Sequence, residues 1–296
     1  MSAQHFYRAF GLLWSADIAL DGFAAASGSA SAPDVVVRRG DGAPPDRGEG
    51  SAINRGVIYP DGVRLAVGDE VVLDMFRGEL TEWRPGPGWG GALPLPFFST
   101  VTAMLLAWRG GIPIHGSAVE IGGRGIMICG KSGYGKSSIA AGLVATGARL
   151  VSDDLSLIVD DETGAHLAAG RPAMRLHDDA AEYLPGTVLE RASEPTALKT
   201  LVWPRRVADD ARVPLDTVIV LTRHPALKPQ PPAAFSLVTQ VFRPRWLAKL
   251  AGAAERRAAL VRLARQVRVI ECASPEIHDE ASFHAAAAAV LALVSG

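Results

Sequence analysis

The sequence predicts an α/β core, residues 93–296, behind a β-rich N-terminal module, residues 1–92. Three features carry that prediction. Short strand-like runs divided by turn signals fill the first third of the chain. Beyond them, apolar strand-like runs alternate with helical segments. Between two of these, a glycine-rich loop joins a fully apolar strand to a helix.

In the N-terminal module the strand-like runs are Tyr7–Trp14, Asp34–Arg38, Gly56–Tyr59, Val63–Val67 and Val71–Met75. Turn signals at 40–42, 60–62 and 85–87 separate them, and 24–33 and 40–50 read as loops. Strands this close in sequence predict an antiparallel sheet. A helix is predicted from Phe97 or Ser99 to Trp108, with Ser99 as its N-cap. Strands follow at Ile114–Ile121 and Gly125–Cys129, then a helix over Ser137–Ala145 that ends near Gly147. Arg149–Ser152 is a strand, and Leu155–Val159 and Ala165–Ala168 flank a turn. After an irregular region come a buried strand (Thr217–Thr222), a basic helix over 244–266, a strand (Val267–Cys272) and an amphipathic helix (Ala281–Val294).

The 296 residues can bury one large core or two modest ones. Hydrophobic residues make up 48% and charged residues 21%, as in an ordinary soluble protein. Thirty Lys and Arg against thirty-one Asp and Glu create no field that would gather nucleic acid or an anionic membrane, so neither is expected as a partner. The stretch 281–294 is too short to span a bilayer, and the N-terminus lacks the apolar core and cleavage site of a signal peptide. Two cysteines, Cys129 and Cys272, can build neither a disulfide framework nor a four-ligand zinc site. They read as buried thiols, and a cytoplasmic location is expected. Only five residues are lysine, and two of them fall between Gly130 and Ser138.

That window, Gly130, Lys131, Ser132, Gly133, Tyr134, Gly135, Lys136, Ser137 and Ser138, fits G-x-x-x-x-G-K-[ST]. Phosphate oxygens need several donors converging on one point, and the amides of a wrapped loop supply them. Glycine permits the wrap because it tolerates positive φ. The helix that follows turns its unpaired amides and positive dipole end to the same anion. Lys136 would reach the β- and γ-phosphates of ATP, and Ser137 would ligate Mg2+, a hard cation that prefers oxygen.

Asp153 and Asp154 end the strand Arg149–Ser152, which lies beside the phosphate loop if the sheet is parallel. Adjacent carboxylates point different ways, which suits one to magnesium and the other to accepting a hydroxyl proton. His115 enters the preceding strand and reads either as a core or turn residue or as a lining of the site. The remaining histidines have no metal-ligand spacing.

Residues 114–158, from Ile114-His-Gly through the glycine turn Gly122-Gly123, the loop 130–138, and Gly147 to Asp154, together resemble the catalytic core of the HPr kinase/phosphorylase family. The resemblance implies an α/β P-loop kinase core like the HPr kinase C-terminal domain. It also implies that Asp153 is the base toward a substrate serine, that Asp154 serves magnesium, and that His115 belongs to the site. The family's Arg-Gly-Leu-Gly substrate loop is missing; the equivalent regions read Arg171-Pro-Ala-Met-Arg175-Leu and Ala197-Leu-Lys199. The opening FYRAFGLLWSADIAL resembles HPr-kinase-like proteins encoded with peptide-modification systems, including lasso peptide kinases.

The function expected from these readings is an ATP- and Mg-dependent serine kinase acting on a peptide or small protein, such as a lasso peptide precursor at a C-terminal serine. HPr or another small acceptor is the alternative within that class, and a nucleotide-switched binding protein is the alternative outside it. Lys199, and with less support Arg171 and Arg175, are candidates for gripping the substrate or neutralising the transferred charge, against the simpler reading of exposed cations. A homo-oligomer is compatible with the sequence.

Overall fold

The computed structural model describes residues 4–27, 31–190, 199–209, 212–223 and 233–295. Ala197, from the stretch set against the missing substrate loop, lies outside them. The N-terminal sheet contains β1 (His5–Ala9), β2 (Leu12–Ala16), β3 (Ala24–Ala25), β4 (Val35–Arg39), β5 (Ser51–Ile53), β6 (Gly56–Tyr59), β7 (Gly62–Val67), β8 (Val71–Phe76) and β9 (Leu80–Pro85). Their spatial order is β3-β1-β2-β4-β9-β8-β7-β6-β5.

The run Tyr7–Trp14 is a hairpin rather than one strand. Phe10 and Gly11, at φ 57° and 71°, make a two-residue turn between the paired Ala9 and Leu12. Consecutive left-handed residues suit the twist of a tight hairpin. The sheet is also mixed, because β4 pairs parallel with both β2 and β9. Parallel neighbours need crossover connections, and the chain leaves β4 for β5–β8 before β9 returns beside it. The loop 40–50 is tied down by Arg47, whose guanidinium sits 4.5 and 4.3 Å from the Tyr59 and Phe76 ring centroids and donates to Asp61.

A π-helical turn, Phe97–Val101, leads into α1 (Thr102–Trp108). Ser99 is not the N-cap. Winding begins upstream at the buried Phe97–Phe98 pair, and the Ser99 hydroxyl donates back to the Leu95 carbonyl at 3.0 Å.

The second half carries β10 (Ile112–Ile121), β11 (Arg124–Gly130), α2 (Lys136–Ala145), β12 (Arg149–Ser152), β13 (Leu155–Asp161) and β14 (Gly164–Ala168). A small sheet of β15 (Met174–Leu176), β16 (Gly186–Glu190) and β17 (Thr200–Pro204) follows, with α3 (Asp178–Glu182) inside it in sequence. The chain continues through β18 (Val213–Thr222), α4 (Ala233–Val238), α5 (Pro244–Leu247), α6 (Ala253–Gln266), β19 (Arg268–Ala273) and α7 (Glu280–Ser295). In the large sheet β11 pairs with β10 and β18, β18 with β14, β14 with β13, and β13 with β10, so the pairing closes on itself.

Strand β11 is apolar from Ile126 to Cys129 because it is covered on both faces. Ile126 and Ile128 pack with Ile139 and Leu143 of α2 and Phe283 of α7, while Met127 and Cys129 pack with Leu260 and Leu263 of α6. The predicted helix 244–266 is two helices. Gly252, at φ 75°, breaks the winding, and the buried Arg256 guanidinium donates to the carbonyls of Ala107, Leu247, Leu250 and Ala251. The irregular region between Ala168 and Val213 holds β15–β17, whose short runs carried no clear periodicity.

The N-terminal sheet does not stand apart. One continuous apolar cluster joins Phe10, Trp14 and Phe23 to Phe98, Leu155, Leu157, Trp246 and Leu247.

Candidate active site

The phosphate-loop residues connect β11 to α2, and three glycines set the path of the chain. Gly130, Gly133 and Gly135 have φ of 144°, 81° and 83°, which side chains rarely adopt. A Cβ at Gly130 would lie 3.0 Å from both Cβ and the carbonyl oxygen of Leu221 on the neighbouring β18. Gly135 precedes α2 with no side-chain cap, which leaves the first amides of a ten-residue helix for a ligand. Lys136 is buried, and its ammonium reaches back to the Lys131 carbonyl at 3.1 Å. Burial pulls its pKa down, while the charges of Asp153 and Asp154 push it up. Six positions of the loop and helix start, with Gly133 and Ser138 among them, open onto one cleft with His115 and Asp154. A polyanion with a hard cation fits this donor set: open amides, one ammonium, hydroxyls and two carboxylates.

The acids do not reach the loop by direct strand pairing. β12 pairs antiparallel with β10, and β10 pairs antiparallel with β11, so one strand separates β12 from the phosphate-loop strand. Two reversals restore the direction, and the carboxyl ends of β11 and β12 emerge on the same edge. The start of β10 arrives there too, where Gly116 pairs with Cys129.

Asp153 is 7% exposed. The buried Ser117 hydroxyl donates to its Oδ1 at 2.6 Å and the Arg175 amide to its Oδ2 at 3.0 Å. Burial raises its pKa and these hydrogen bonds lower it, while the charge of Asp154 adds to the rise; the net direction is upward. Asp154 has φ 65°, a left-handed conformation that aspartate tolerates, and it turns its half-exposed carboxylate toward the cleft. The His115 Nδ1 lies 3.1 Å from the Asp154 carbonyl and 3.4 Å from its Oδ1. A carbonyl only accepts, so Nδ1 carries the proton and Nε2 keeps its lone pair. Burial, then the Lys136 charge, holds the His115 pKa below its ordinary value. The Cys129 thiol, fully buried beneath the loop, is pushed up to about 12 and is chemically inert.

Of the residues singled out from sequence, Ser132, Gly133, Gly135, Lys136, Ser137, Ser138, His115, Asp154, Arg175 and Lys199 line this cleft together. Lys131 contributes its carbonyl. Tyr134 turns away, its ring 5.5 Å from the Arg223 guanidinium and its carbonyl accepting from the Ser274 hydroxyl. Arg171 is not in the cleft. It lies behind the acidic pair, with its guanidinium 4.4 Å from the Phe98 centroid. Sequence reasoning missed Ser117, His177, Pro275 and Ile277. Ser117 was recoverable, since it lies two residues beyond His115 on one strand and so shares its face. The other three come from loops with no motif. Among the described residues, no group of three or more His, Cys, Asp or Glu side chains could hold a metal ion by themselves.

A glycine-rich loop of the form G-x-x-x-x-G-K-[ST] thus opens onto a cleft with the partly exposed carboxylate of Asp154, and the buried carboxylate of Asp153 lies beside it. Residues 110–177 match the family model of the HPr Serine kinase C-terminal domain. The HPr kinase/phosphorylase of Chloroherpeton thalassium is 43% identical over 61 residues, which is 21% of this chain and 18% of that protein. That of Lachnoclostridium phytofermentans is 52% identical over 54 residues, 18% of each chain. The chain thus spans under a fifth of the length of these relatives. The solved HPr(Ser) kinase/phosphatase of Coxiella burnetii aligns at 17% identity over 40% of this chain and 71% of that one, with a TM-score of 0.28, too low to carry an argument. Over residues 110–177 the chain is HPr-kinase-like.

Proposed function

We propose that the protein is an ATP- and Mg-dependent serine kinase on a P-loop α/β core, with a peptide or small protein as acceptor. One observation carries the reading: Asp154 opens onto the phosphate-loop cleft, and the buried Asp153 beside it is hydrogen-bonded to Ser137 of the loop, so a base and a donor phosphate can approach the same point. The loop amides and Lys136 would hold the triphosphate, and Ser137 and Asp154 the magnesium. When bound, that ion supplies charge neutralisation on the phosphate oxygens. Ser117 and the Arg175 amide fix the Asp153 carboxylate, which orients the acceptor hydroxyl and takes its proton. Neutral His115 holds the Asp154 backbone in its left-handed turn. Lys199 and Arg175 add positive charge along the cleft wall.

Within this class, a serine of a lasso peptide precursor is the acceptor that the N-terminal resemblance favours. No helix among the described residues is long and apolar enough to cross a membrane. Incubation with ATP and candidate peptides, read by mass spectrometry in steps of one phosphate, tests the reading. If ATP binds and no acceptor gains phosphate, the kinase reading gives way to a nucleotide-switched binding protein.

A further inference from the structure

The phosphate-loop cleft has one wall that phosphates and a hard cation leave without a role. Beyond β19 the chain runs through residues 274–278 before it reaches α7, and Pro275 and Ile277 line the cleft beside the loop. Strands β11, β18 and β19 lie parallel in that order, so their carboxyl ends share one edge. The acids come to that edge from the other side of β11, by way of β10 and β12. β12 and β19 each stand two strands from β11, about 10 Å at the usual strand spacing. The cleft thus has an acidic end at Asp154 and an apolar end at Pro275 and Ile277, with the loop glycines between them.

We propose that Pro275 and Ile277 form a platform for the nucleoside of the bound triphosphate, and that Ile277 makes the site favour a nucleotide over a bare polyphosphate. The inference rests on the nucleotide reading of the loop and adds the direction in which the nucleotide lies. The γ-phosphate belongs at the acidic end, where an acceptor hydroxyl can lose its proton. The α-phosphate and the nucleoside then trail across the loop toward β19. A base and a sugar present weakly polar faces, and apolar side chains are what bury them.

The platform is fixed in place at both ends. The Ser274 amide donates to the Thr222 carbonyl at 2.8 Å, and its hydroxyl donates to the Tyr134 carbonyl of the loop at 3.0 Å. At the far end Asp279 Oδ1 accepts from the Ser282 amide at 2.8 Å, and the Ser282 oxygen accepts from the amides of His278 and Asp279, each at 3.0 Å. These bonds cap α7, so the segment offers the cleft side chains rather than open amides. Ile277 is half-buried against the cluster of α2 and α7. Its Cδ1 lies 3.7 Å from where a Cβ on Gly135 would stand, and with no side chain there the space between Ile277 and the loop stays open.

The test reads binding to the full chain in the presence of Mg2+, by titration calorimetry with ATP and with inorganic tripolyphosphate. Ile277→Ser is expected to weaken ATP about tenfold and tripolyphosphate less than about twofold, while Ile277→Leu keeps ATP within about threefold of wild type. Equal loss of both ligands in Ile277→Ser would make Ile277 a support of the loop and overturn the platform, and so would unchanged ATP affinity. In wild type with labelled isoleucine δ1 methyls, a nuclear Overhauser contact from one methyl to the base or ribose protons of ATP is expected, and it should vanish in Ile277→Leu. Its absence would also overturn the platform, so the proposal stays decidable if Ile277→Ser fails to fold by circular dichroism. The expected binding pattern without phosphate transfer to any acceptor would remove the kinase reading and leave the platform standing. Binding of neither ligand by wild type would remove the nucleotide reading, and this proposal with it.

Discussion

Asp153 illustrates how a single residue trades stability for chemistry. A carboxyl whose folded pKa lies above its unfolded value prefers to be protonated in the folded protein. Its contribution therefore favours folding at low pH and is lost as pH rises from the ordinary carboxylate range through the raised value. At neutral pH the buried charge is a cost. Asp153→Asn keeps the hydrogen-bond partners, since an amide can accept from Arg175 N–H and donate to Ser117. It should raise the melting temperature in metal-free buffer, keep ATP affinity, and lower transfer by about 10²–10⁴-fold. Equal transfer in the variant and wild type would remove Asp153 as the base. Ser117→Ala should act through Asp153: without that donor its pKa climbs further, and the acid limb of the pH–rate profile moves to higher pH. Lys136→Ala should weaken binding of a fluorescent ATP analogue by about 10–100-fold, the loss of one or two charge-assisted hydrogen bonds. The lysine was legible from spacing alone, because the loop motif is local. The place of Ser117 on the His115 face was recoverable from strand alternation, but its bond to Asp153 was not, because that partner lies 36 residues away and only strand pairing brings the two together.

At the scale of elements, the close approach of α2 and α7 rests on a glycine. A Cβ on Gly142 would lie 2.9 Å from Ala287 Cβ and 3.2 Å from the Phe283 carbonyl. Gly142→Val should therefore push α7 off the sheet and destabilise the chain by about 1–3 kcal/mol, readable as a lower denaturant midpoint. The seating of α2 sets the direction of the open amides, so ATP affinity should fall with it. Segments with strong periodicity, such as β11, α2 and α7, were legible with ends shifted by no more than one residue. The β1–β2 hairpin was missed because Phe10 is an unlikely residue for a left-handed turn. Its reason is tertiary: the ring packs against Gly170.

Over the whole molecule, the two parts read from the sequence share an apolar cluster, and this bears on whether residues 93–296 can stand alone. Deleting residues 1–92 would uncover Phe98, Leu155, Leu157, Trp246 and Leu247 on one face. The truncated chain should elute from size exclusion as aggregate; a soluble monomer that binds ATP would show instead that the module is a cover and no more.

The local chemistry was in the sequence by itself: the phosphate-loop window, the adjacent carboxylates, the histidine and the family resemblance around them, because each depends on residues close in the chain. The order of strands, the antiparallel β10 between β11 and β12, the support of Asp153 by Ser117 and Arg175, and the place of Phe10 beside it were decided by tertiary structure. Pairing between distant segments is governed by which faces can be buried together, and a one-dimensional pattern records that an apolar face exists without recording what will cover it.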